Sequence, residues 1–178
     1  MMERFDVRLA GLGGQGLLLA GLILGHAVTI YDKRNAVQTV NYAPLARGAP
    51  SRAEVVISDG SIYFPEVLNS DVLLAMNQSA YDEFKSQVKP GGIIIADTEN
   101  VKNFCQSEET YKFPISKIAK LETGRTITGS IVGLGIISII TGIVTPSALT
   151  NAVKTRAPRG TVQTNLRALS AGLSAMEK

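Results

Sequence analysis

The stretch Phe5–Gly16, FDVRLAGLGGQG, decides the fold. Phe5 to Ala10 is a short β-prone run, and it ends in a turn with glycines at Gly11, Gly13 and Gly16, the G-x-G-x-x-G spacing. From Gln15 to Ile30 the chain is almost wholly Leu, Ile, Ala, Val and Gly, as in a helix buried on most sides. In a strand–turn–helix unit of this kind the first glycine permits the tight turn. The second lets backbone approach a phosphate, and the third lets helix and strand pack closely. Amides exposed at the helix start favour an anion. Three glycines also suit a bare strand-to-helix turn, so the motif alone leaves both readings open.

Outward from this unit, strands and helices alternate. Ala36 to Val40 reads as a second strand, and Tyr42 to Ser51, with two prolines and a glycine, as a loop. Ala53 to Ser58 and Ile62 to Phe64 flank Asp59-Gly60, which signals a hairpin. Asp71 to Met76 is a buried strand, followed by a helix from Ser79 to Val88. Lys89-Pro90-Gly91-Gly92 reads as a break, Ile93 to Asp97 as an apolar strand and Tyr111 to Phe113 as a short one. Helices are then expected over Ser116–Leu121, Gly129–Ile143, Pro146–Thr155 and Val162–Met176. Apolar strands alternating with helices imply an α/β, Rossmann-like three-layer fold. Its sheet should be mostly parallel and its C-terminal third helical. We expect a single domain over residues 1–178.

Composition excludes several function classes. A net charge of +3, with basic residues spread out and few aromatics, does not describe a nucleic-acid surface. Cys105, in a polar loop, is the only cysteine and His26 the only histidine, so neither a four-thiolate iron–sulfur cluster nor a zinc site has enough ligands here. No catalytic residues suggest themselves, since there is no Ser/His/Asp layout or close carboxylate pair. His26, on an apolar helix, reads as a packed or capping histidine. Thr126 to Val153 lacks Asp, Glu, Lys and Arg, but Gly142 and Pro146 interrupt it and its strongly apolar part is shorter than the roughly 20 residues of a membrane span. A buried central helix is expected, with no membrane partner. The N-terminus has no signal-peptide layout, and the expected compartment is the cytoplasm.

A dinucleotide site needs more than the turn. An acidic residue at the end of the second strand should accept the ribose hydroxyls. That strand ends in Thr39-Val40-Asn41-Tyr42, and Asp32 comes too early. A stand-alone NAD(P)-binding reductase is therefore the lesser reading, beside a nucleotide-binding regulator.

The combination of segments resembles the gamma subunits of 2-oxoacid:ferredoxin oxidoreductases. The resemblance is carried by GLGGQG at Gly11–Gly16, AVQTVNYAPLARG at Ala36–Gly48, SRAEVVISD at Ser51–Asp59, LAMNQSAY at Leu74–Tyr81 and NLRAL at Asn165–Leu169. It is nearest to the 2-oxoglutarate branch, with pyruvate, ketoisovalerate and indolepyruvate versions as alternatives. Ala43 and Leu45 depart from the usual glycine and glutamate, and Ser130 stands where many relatives have asparagine. The resemblance implies a complex that converts a 2-oxoacid, coenzyme A and oxidised ferredoxin into an acyl-CoA, carbon dioxide and reduced ferredoxin. Thiamine diphosphate, Mg2+ and iron–sulfur clusters would reside on alpha, beta and ferredoxin-like delta subunits, none on this chain alone. Coenzyme A would be contacted here. The candidate binding residues are Gly11, Gly13, Gly14, Gln15 and Gly16 of the turn, the guanidinium forks of Arg47 and Arg52, and Asn77 after its strand. Arg47 and Arg52 could instead meet carboxylates of a partner subunit, and Asn77 could be a helix cap.

Overall fold

A computed structural model describes residues 4–41, 50–105 and 110–176. Six strands, β1 (Phe5–Gly11), β2 (Asn35–Asn41), β3 (Ser51–Ser58), β4 (Ser70–Ala75), β5 (Val88–Asp97) and β6 (Thr110–Phe113), form one sheet in the order β2-β3-β1-β4-β5-β6. The pairs β1–β4, β4–β5 and β5–β6 are parallel, whereas β3 runs antiparallel to both β1 and β2. The expected α/β architecture is present, with β3 as the reversed member of a mixed sheet.

The alternation of side chains along β1 assigns the two faces. Val7 and Leu9 enter the larger core with α1 (Leu17–His26), α3 (Ile115–Thr123), α4 (Gly129–Thr141), α5 (Pro146–Arg156) and α6 (Val162–Leu173). Ala10 enters a smaller core under α2 (Gln78–Phe84), with Leu73, Tyr81 and Phe84. Arg8 also points to the α2 side and is buried there. It donates to Glu54 at 2.7 Å, to Val67 O at 2.6 Å and to Gln87 at 2.7 Å.

The charge-free segment is internal. Helix α4 is buried along most of its length, and among the described residues no helix is long and apolar enough to cross a membrane. Its glycines are there for contact. A Cβ on Gly133 would sit 2.5 Å from Leu74 Cδ2, and one on Gly172 of α6 would sit 2.1 Å from Val132 O. The two helices cross backbone to backbone, which only a missing side chain permits.

Three local expectations are corrected. Ile62–Phe64 is not a strand, and β3 pairs with β2 and β1 instead. The segment is held by cations: Arg4 donates to the carbonyls of Phe64 and Glu66, both at 2.7 Å, and Asp59 is taken by Arg34 at 2.6 Å. Lys89–Gly92 does not end an element but lies inside β5, where the pairing with β4 shifts register and Gly91 takes φ 78°. The first long helix stops at His26 and continues as one π-helical turn, Ala27–Tyr31.

Candidate functional site

Open α/β sheets bind ligands outside the carboxyl ends of their parallel strands. Here those ends are the turn after β1, Asn77 after β4 and Asp97 at the end of β5. The turn is compact. Leu12 N donates to Gln15 Oε1 at 2.6 Å, Gln15 N donates to Leu12 O at 3.3 Å, and Gln15 Nε2 reaches Met76 O at 3.4 Å. Gly14 and Gly16 hold φ 87° and 76°, the left-handed region that side chains disfavour. Gly11 needs its bareness for another reason, because a Cβ would fall 2.2 Å from Gln15 Oε1 and 2.9 Å from Met76 Cβ.

Gly14 and Gln15 form one wall of a groove of about 650 Å3. Its lining also includes Glu99 and Asn100 after β5 and Ser116, Lys117 and Lys120 of α3. Lys117 and Lys120, one turn apart, are exposed and line the crevice, which puts two basic residues beside a helix N-terminus. Asp97 fixes Ser116 and Asn100 in that lining. Its carboxylate is fully buried and accepts from Ser116 Oγ at 2.5 Å, Ser116 N at 3.1 Å and Asn100 Nδ2 at 2.7 Å. It is thereby satisfied as a structural acceptor.

The remaining candidate residues are placed as follows. Gly13, Gly16 and Arg52 line an adjoining, mainly apolar cavity of about 340 Å3. Arg52 lies 3.2 Å from Glu54 and its guanidinium stands 5.4 Å from the Phe84 ring centre. Asn77 caps α2, accepting from Ala80 N at 3.1 Å, and does not line the groove. Arg47 lies outside the described residues. The sequence reading missed Lys117, Lys120, Glu99 and Asn100. The i, i+3 lysines on the helix after Phe113-Pro114 were the available signal, but only the fold shows that this helix borders the glycine turn. Asp32 receives Thr145 N at 2.9 Å and Thr145 Oγ1 at 2.7 Å and helps seat α5.

Among the described residues no three of His, Cys, Asp and Glu cluster as metal ligands. Cys105 is exposed, with Lys85 Nζ 3.3 Å from its sulfur.

The sequence profile of pyruvate ferredoxin/flavodoxin oxidoreductases matches residues 6–175. The chain belongs to that family. The 2-oxoglutarate synthase subunit KorC of Methanocaldococcus jannaschii is 42% identical over 172 residues, covering 95% of this chain and 92% of the relative. The gamma subunit of a keto/oxoacid ferredoxin oxidoreductase from Geobacter sulfurreducens superposes with a TM-score of 0.87 at 38% identity, covering 97% of this chain and 95% of the other. A 2-oxoglutarate:ferredoxin oxidoreductase from Magnetococcus marinus, solved with 2-oxoglutarate, coenzyme A and succinyl-CoA bound, shares the fold. Its TM-score is 0.81 at 20% identity, with 99% of this chain covering 32% of that one. The resemblance to oxidoreductase gamma subunits read from the sequence is borne out, and this oxidoreductase-family chain takes the gamma-subunit form.

Proposed function

We propose that this chain serves a coenzyme A-dependent 2-oxoacid:ferredoxin oxidoreductase acting on 2-oxoglutarate, and that its groove holds phosphates of coenzyme A. One observation carries the reading: the glycine turn and the Lys117/Lys120 pair line the same crevice. Turn amides and ammonium groups suit a polyanionic phosphate segment. The full-length likeness to a 2-oxoglutarate synthase subunit supports the choice of oxoacid.

In this reading the chain positions a co-substrate and transfers no proton itself. Coenzyme A carries the acyl group when bound. Gly14 offers backbone at its phosphates, while Gln15 N is held by Leu12 O, and Asp97 keeps Ser116 and Asn100 still behind them. The iron–sulfur clusters need more thiolates than Cys105 supplies and belong to partner subunits, where thiamine diphosphate and Mg2+ also reside in this reading of alpha, beta and delta partners.

The test is to assemble the complex with Lys117→Gln/Lys120→Gln and follow viologen reduction. We expect the apparent KM for coenzyme A to rise roughly tenfold, about 1.4 kcal/mol of binding, with the KM for 2-oxoglutarate unchanged. An unchanged coenzyme A dependence in an intact complex would remove the groove from this role. A panel of oxoacids in the same assay decides the substrate.

The reading as an NAD(P)-binding reductase is disfavoured by the sheet order. Antiparallel β3 lies between β1 and β2. The strand that would carry a ribose-binding acid is therefore not the neighbour of β1, and the β2 residue that borders the turn's cavity is the apolar Val40.

A further inference from the structure

Helices α1, α4 and α6 bring their N-terminal ends to one small cavity of about 170 Å3, separated from the lysine groove by Ile127. Helix α1 contributes Gly16, α4 contributes Thr128 and Ser130, and α6 contributes Thr161, with Arg125 beside them. Each helix end carries partial positive charge, and those of α1 and α6 carry first-turn amides that their own backbone does not satisfy, whereas at α4 the preceding 3-10 turn Thr126–Thr128 takes Gly129 N. Elsewhere in this chain Asn77 caps α2, Thr145 caps α5, and Asp97 accepts from Ser116 N in the first turn of α3, whose own N-cap residue is Pro114. The three ends at the cavity have no side-chain cap, and none has an acidic residue in its first turn. Two of them begin at threonine, a good capping residue, yet both hydroxyls turn away. Thr128 Oγ1 donates to Arg125 O at 2.9 Å, and Thr161 Oγ1 donates to Pro158 O at 2.8 Å.

A second observation is independent of the helix ends. Ser130 is 1% exposed, lines the cavity, and its hydroxyl has no hydrogen-bond partner among the described residues. A buried hydroxyl without an acceptor is unfavourable, and an oxyanion in the cavity would relieve it. Arg125 is exposed at the rim. The space is smaller than the 300–1,000 Å3 typical of pockets for whole cofactors, so it admits a single group.

We propose that this cavity is a phosphoryl-binding site, distinct from the lysine groove. The oxyanion accepts from Ser130 Oγ and from first-turn amides of α1 and α6, and Arg125 closes over it. The site does not depend on the coenzyme A assignment.

The test uses the full 178-residue chain. Inorganic phosphate and, separately, adenosine monophosphate are titrated while backbone amides are followed by NMR. We expect saturable shifts at Leu17 and Val162. Ser130→Ala and Arg125→Gln should each weaken the apparent Kd roughly threefold to tenfold. Lys154→Gln, an equal loss of charge on α5, should leave it unchanged. Stronger binding of the monophosphate at the same amides assigns the phosphoryl group to a larger ligand. Binding of inorganic phosphate alone assigns it to the free anion, and both support the site. Absent shifts, or equal weakening by Lys154→Gln, would overturn it. Without ligand, Ser130→Ala should melt no lower than the parent; if it does not fold, exposed Arg125→Gln decides alone.

Discussion

Arg8 and Glu54 face each other across β1 and β3, with Nε donating to Oε1 at 2.7 Å in the interior beneath α2. Arg52 lies 3.2 Å from the same carboxylate oxygen, and both guanidiniums stand near the Phe84 ring, 4.9 and 5.4 Å from its centre. One buried carboxylate thus serves two cations. Removing one partner of a buried pair leaves a charge that water cannot reach, at a cost of about 3–5 kcal/mol. Glu54→Gln should therefore lower unfolding stability by about 3 kcal/mol in urea melts. Arg8→Met combined with Glu54→Leu should cost less than the two single changes added together.

The crossing of α4 and α6 gives a sharper contrast between two glycines. Gly172→Ala drives a methyl group into backbone at Val132 O, where nothing flexible can yield. A loss of about 3 kcal/mol is expected, the upper part of the range for overpacking. Gly25, inside α1, has nothing within 4 Å of the place its Cβ would occupy. Gly25→Ala should stabilise by about 0.5–1 kcal/mol through helix propensity and a less flexible unfolded chain. Thermal melts of the two variants check both signs.

Such contrasts also show what could be read from residues alone. Apolar runs located β1, β4 and the second half of β5, and Gly142 with Pro146 located the break between α4 and α5, because these signals are local. The pairing of β3 was not local. Asp59-Gly60 has the composition of a hairpin turn, but Arg4 and Arg34, distant in sequence, hold that region in another course. The glycine turn was legible as half of the candidate site. Its lysine half was not, because nothing in Lys117 or Lys120 says that α3 lines the same crevice as residue 14.

His26 supplies a pH signature. Its imidazole is partly desolvated and Arg156 Nη2 lies 3.1 Å from Nδ1, so burial first and the Arg156 charge second push its pKa below 6.5. The unfolded chain then takes up a proton at a higher pH than the folded one, and stability falls as pH drops through the region of 6.5. Melting temperatures between pH 7.5 and 5.5 should decline less in His26→Gln than in the parent. Equal slopes would place the acid-side loss elsewhere.

The lysine groove predicts a salt dependence. Lys117 and Lys120 are exposed, so their attraction for phosphate is screened over a Debye length of roughly 8–10 Å near physiological ionic strength. The apparent KM for coenzyme A in the assembled complex should rise with added salt. That slope should flatten in Lys117→Gln/Lys120→Gln, while the 2-oxoacid KM follows the parent.

The reversed β3 also limits how this scaffold can be redesigned. Strand spacing of roughly 4.8 Å sets β2 one full strand farther from β1 than in a nucleotide dehydrogenase, so an acid grafted at Val40 would meet the cavity beside the Gly11–Gly16 turn from beyond β3. Adopting a nicotinamide would mean re-threading the sheet, so no point substitution at that edge should convert this protein into a dehydrogenase.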